Sequence, residues 1–126
     1  MSLRDRAPDA LAGVMGVVGS LHFVIPGTMA ETIPSQLPYR RELVLVSGVV
    51  EVGTAIALRR RVPGAGRFAA LTLLAIWPAN IQMALDAGSG KHPGPADDKR
   101  LMWARVPLQL PLIWAALQAD RPGARR

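Results

Sequence analysis

The sequence predicts an all-α protein, an integral membrane four-helix bundle with both termini cytoplasmic. Three observations carry that prediction. Four apolar segments of 16 to 19 residues lie at positions 10–25, 43–58, 68–86 and 101–119, at or just below the length that crosses a bilayer as a helix. No charged residue interrupts the stretch from Leu11 to Phe23, and a helix apolar on every face belongs in lipid or in a core larger than 126 residues can build. The basic residues gather at segment ends, where membrane proteins carry them.

The first segment is opened by Pro8-Asp9, with Asp9 as expected N-cap, and closed by Pro26-Gly27. The second ends at Arg59-Arg60-Arg61. The third contains Pro78 and the fourth Pro107 and Pro111, which a membrane bundle tolerates because neighbouring groups re-satisfy the freed carbonyls. Gly13, Gly16, Gly19, Gly48 and Gly53 allow close helix packing. Between the first two segments, 26–41 reads as a re-entrant or interfacial loop, with a short amphipathic helix at 28–38 or a lid over the bundle mouth. The third loop and the first carry Arg40, Arg41, Lys91, Lys99 and Arg100. The opposite side carries nine basic residues: Arg4, Arg6, Arg59, Arg60, Arg61, Arg67, Arg121, Arg125 and Arg126. That excess places the termini in the cytoplasm.

The net charge is +6, yet no recognition motif or basic helix face accompanies it, so nucleic acid is not an expected partner. The chain has no cysteine, which excludes disulfides, thiolate metal sites and thiol redox chemistry by its own side chains. No cleavable signal peptide is expected, because no basic region leads into a short apolar stretch with a small-residue cleavage site. With His22 and His92 as the only histidines, no metal or haem site is expected.

The informative residues are the polar ones inside the apolar segments. Glu51 sits mid-segment, and a carboxylate at that depth costs about 2.5–3.5 kcal/mol unless it is neutralised or partnered. With alternating helix directions, His22, Asn80 and Arg105 fall in the outer half, with Glu51 and Gln109 below and Gln82 nearer a helix end. Arg105 and Gln109 share a helix face at i and i+4. The set predicts a polar pocket open to the outer side, with an ion pair between Arg105 and Glu51.

Several ordered motifs resemble one family. They are Gly19-Ser-Leu-His22-Phe23 before Pro26; Ile33-Pro34 and Leu37-Pro38; Leu43-Val44, Ser47-Gly48, Glu51 and Gly53; Pro78-Ala79-Asn80-Ile81 and Met83-Ala84; and Arg105, Pro107-Leu-Gln109 and Leu112-Ile-Trp-Ala115. From Gly13 to Ala116 the chain resembles the DoxX family of small four-helix bacterial membrane proteins. The resemblance implies a multi-pass protein of the bacterial inner membrane. It adds Ser47 to a site of His22, Glu51, Asn80, Arg105 and Gln109. The family takes its name from a subunit of a thiosulfate:quinone oxidoreductase, which implies a quinone as bound cofactor and a membrane redox partner.

Three functions stay open on these grounds. One is a module that binds a quinone or other lipophilic small molecule through Asn80, Arg105, Gln109 and Ser47. A second is a stand-alone enzyme using Glu51 and His22 as acid and base, in isomerisation or epoxide opening. The third is an assembly factor for other membrane proteins. Partners beyond the lipid bilayer would be a redox protein or a second copy of the chain.

Overall fold

The computed structural model describes residues 2–31, 33–92 and 94–122. Arg125 and Arg126, counted in the charge bias, and Thr32 of the first loop lie outside the described residues. Among the described residues there are five α-helices and no strand: α1 Leu3–Val24, α2 Pro26–Ala30, α3 Arg40–Arg59, α4 Ala65–Asp86 and α5 Lys99–Gln118.

Helix α1 begins at Leu3 rather than at the expected Asp9 cap. Ser2 and Asp5 form a capping box, in which the Ser2 hydroxyl accepts from the Asp5 N–H at 3.3 Å and the Asp5 carboxylate accepts from the Ser2 N–H at 3.0 Å. Asp9 lies inside the helix instead, and reaches across to Arg59 at 3.2 Å and Arg61 at 3.3 Å at the end of α3. The first loop holds a helix of only five residues, α2, with Pro26 at its first position. The chain then turns back through Tyr39, which adopts a left-handed conformation at φ 55°. Arg40 ties this segment down by donating to the carbonyls of Ala30 at 2.6 Å and Ile33 at 3.0 Å.

Helix α4 is capped from a distance. Gly64 enters it at φ 85°, a conformation that glycine adopts without strain. The N-terminal amides of Gly64 and Arg67 donate to the Asp120 carboxylate at 3.1 and 2.7 Å. Asp120 therefore does for α4 what a local cap does elsewhere, while locking the chain's end onto the α3–α4 turn. Asp120→Ala is expected to cost about 0.5–2 kcal/mol, and Asp120→Asn less, in thermal unfolding followed by circular dichroism. Helix α5 uses a local cap, with Asp98 accepting from the Arg100 and Leu101 amides.

Packing is uneven. α1 lies along α3, α4 lies along α5, and α1 also meets α5, whereas α3 and α4 barely touch. One core cluster fills the end of the bundle where the chain starts and finishes, around Leu11, Met15, Leu58, Ala69, Leu73 and Ala116. At that end Arg121 joins the start of α1 to the end of α5 through Asp5 at 2.5 Å. A smaller cluster, Met83, Ala84, Ala87, Ala96 and Met102, fills the other end.

The outward faces are apolar: Val17, Val46, Val49, Phe68, Leu71 and Leu74 are all more than half or nearly half exposed. Helices α1 and α4 are long and apolar enough to cross a membrane. Helix α3 carries Glu51 in addition to charges near both ends, and α5 is diluted by Arg105, Gln109 and two prolines, so neither reaches that mark.

Candidate functional site

The gap left between α3 and α4 is a cavity of about 450 Å³. Met29, Ile33 and Leu37 of the first loop form its roof, and its walls come from the four long helices. His22, Ser47, Glu51, Asn80 and Arg105 all line it, beside apolar Val44, Val50, Ile76 and Ala79. His22, Ser47, Glu51, Asn80 and Arg105 of the expected polar residues thus converge on one cavity, with Gln109 and Gln82 left out.

His22 and Glu51 face each other across the α1–α3 contact. The helices can approach this closely because Gly48 stands opposite His22 and Phe23; a Cβ there would fall 2.7 Å from the His22 Cβ. His22 Nδ1 lies 2.6 Å from the Val18 carbonyl oxygen, an acceptor only, so Nδ1 carries a proton and donates it. The other ring nitrogen, Nε2, lies 3.1 Å from Glu51 Oε2. Two bare lone pairs would repel at that separation, so the pair carries one proton, on the imidazole or on the carboxyl. The pair is largely buried, and the approach leaves Glu51 Oε2 without an aligned hydrogen bond.

The expected Arg105–Glu51 ion pair is not formed. Arg105 donates through Nη2 to Asn80 Oδ1 at 2.8 Å and through Nη1 to the Met102 sulfur at 3.5 Å. The reason is the order of helix neighbours. α5 packs on α4, which offers Asn80, while α3 packs on α1, which offers His22. Gln109 also departs from its expected place. It is buried, and its amide donates to the Leu73 carbonyl at 2.7 Å, so it fastens α5 to α4 one turn away from the cavity.

Two features were not foreseen. Thr72, whose hydroxyl donates to the Phe68 carbonyl, lines the cavity wall. The second is a polar hub on Asp86, at the roof end of α4. Its buried carboxylate receives Gln82 at 3.1 Å and Gln36 of the roof segment at 3.5 Å, with His92 at 3.5 Å and Lys91 at 3.6 Å. The i, i+4 spacing of Gln82 and Asp86 was the available signal; nothing in the sequence placed His92, 3% exposed, beside them.

A family model described as a domain of unknown function (DUF8561) matches residues 11–120. No curated protein and no solved structure matches the chain. The family match overturns the DoxX resemblance. Prolines in helices, small residues at crossings and a few buried polar groups answer requirements common to small membrane bundles, so their order does not identify a family. The quinone and redox-partner expectations drew on that resemblance and have no other support.

Proposed function

The chain belongs to the DUF8561 family, and on that footing we propose that it is an integral membrane bundle that holds a lipophilic small molecule in the cavity between α3 and α4. The observation that carries this reading is the cavity itself. Its volume, about 450 Å³, falls in the range of small-molecule sites, which are mostly apolar with a few convergent polar groups. Here four helices each contribute a polar side chain to an otherwise apolar wall.

The distribution of polarity supports the membrane reading. His22, Thr54, Asn80 and Gln109 are buried while valines, leucines and Phe68 face outward, the reverse of a water-soluble bundle. The four long helices run 20 to 22 residues, or about 30 Å, the thickness of the hydrocarbon layer. The two that fall short by composition do so partly through residues that serve the interior, Glu51, Arg105 and Gln109. The excess of basic residues at the end shared by both termini supports a cytoplasmic placement of that end.

A second reading is favoured by one geometric feature. His22 is oriented through Nδ1 and shares a proton with Glu51 through Nε2, the arrangement of an acid–base pair. A bound molecule with a carbonyl, epoxide or activated C–H against this pair would make the cavity an active site.

The test is retention of a small molecule on purification. Ala79 lines the cavity, and Ala79→Trp would fill much of it. Wild-type protein extracted in mild detergent is expected to carry one lipophilic molecule by native mass spectrometry, and Ala79→Trp to carry none.

A further inference from the structure

The cavity holds an unbalanced charge. His22 and Glu51 share one proton and together are neutral. Arg105 adds a full positive charge, and among the described residues its hydrogen bonds go to neutral acceptors, Asn80 Oδ1 and the Met102 sulfur. It enters none of the ion pairs among the described residues. A half-buried guanidinium without a counter-charge is costly in an apolar setting, so the cavity is complementary to one negative charge. Its planar fork matches a carboxylate through two parallel N–H donors. A dianion would exceed the single positive charge and crowd Glu51.

A second groove of about 430 Å³ lies beside the cavity between α3 and α4, with Val50 lining both and Gly53, Ala57, Pro63 and Phe68 along it. From Val46 to Ala57 the two together extend about 16 Å along α3. The groove is open at Gly53, where a Cβ would meet nothing within 4 Å. The rim toward the outer face is apolar, with Val46 62% exposed and Leu43 and Ile76 partly so, which suits entry from the bilayer rather than from water.

Building on the reading of the cavity as a ligand site, we propose that the occupant is a single-tailed amphiphile with a carboxylate head. The head pairs with Arg105 beside the His22–Glu51 pair, and the tail lies in the α3–α4 groove. The class is that of long-chain monocarboxylic acids.

Binding of hexadecanoate, octanoate and hexadecanol to detergent-purified wild-type protein tests both parts, with Arg105→Gln, Arg105→Lys, Gly53→Leu and Ala79→Trp beside it. Hexadecanoate is expected to bind roughly tenfold or more tightly than hexadecanol, the scale of one charge-assisted contact. Arg105→Gln should erase that preference and Arg105→Lys restore part of it. Gly53→Leu should weaken hexadecanoate and spare octanoate. Equal binding of acid and alcohol by the wild-type protein, a comparison that needs no variant, overturns the carboxylate assignment and leaves the cavity reading standing. Undiminished hexadecanoate binding in Gly53→Leu overturns the placement of the tail. If Ala79→Trp binds both long-chain probes as well as wild type does, the cavity reading fails and the inference fails with it.

Discussion

Gly66→Ala is expected to destabilise the bundle by about 1–3 kcal/mol, the range for overpacking a close contact. Gly66 lies on α4 where α5 ends. A Cβ there would run into the Ala116 carbonyl oxygen, with the Ala119 Cβ at 3.0 Å and Asp120 Oδ2 at 3.1 Å. The first obstacle is backbone, so relief requires α5 to move as a body. That movement would also draw Asp120 away from the Gly64 and Arg67 amides that it caps. Gly13→Ala is the control. A Cβ at Gly13 meets nothing within 4 Å, so the substitution should be neutral or gain up to about 1 kcal/mol from helix propensity. Thermal unfolding of both variants in the same detergent separates the two cases. Equal melting curves would mean that α4 and α5 do not approach as closely as described.

Glu51→Ala and Glu51→Gln are expected to part company. Alanine removes the carboxyl facing His22 Nε2 and leaves that buried nitrogen without a partner among the described residues. Breaking a buried pair on one side costs about 3–5 kcal/mol where burial is complete, and the 15% exposure of Glu51 sets the expectation toward the lower end. Glutamine keeps the volume and an amide N–H that can donate to His22 Nε2, so the fold should survive. It cannot hold the proton that the carboxyl shares, so any acid–base step on a bound molecule should be lost. Unfolding of Glu51→Ala, Glu51→Gln and wild type, together with the ligand content of each, checks both statements. A Glu51→Ala protein as stable as wild type would show that the His22 contact contributes nothing to the fold.

The reach of the sequence can be judged from particular residues. Each apolar segment matches one of the four long helices to within one residue at its C-terminal end, because hydrophobic runs bounded by prolines, glycines and arginines are local signals. The polar cluster was legible for a different reason: a costly group in an apolar run requires partners at similar depth, so His22, Glu51, Asn80 and Arg105 could be grouped, whereas Ser47 entered only through the family resemblance. Which of them touch was not legible. Depth ranks residues along the bundle axis but says nothing about order around it, and that order gave Glu51 to His22 and Arg105 to Asn80. Gln109 shows the same limit: it shares a face with Arg105, yet points at the Leu73 carbonyl. The start of α1 was misplaced because Asp9 and Ser2 are both acceptable caps, and only Ser2 has Asp5 three residues on to complete the box. The Asp120 cap joins residues 56 apart, beyond the reach of any local pattern.

The central claim is that the space between α3 and α4 is a ligand site rather than a packing defect. Native mass spectrometry of wild type and Ala79→Trp, released from mild detergent, tests it most directly. The account predicts one lipophilic adduct per wild-type chain and none on Ala79→Trp at comparable melting temperature. A wild-type chain that carries no adduct, or an adduct that persists unchanged on Ala79→Trp, would contradict it.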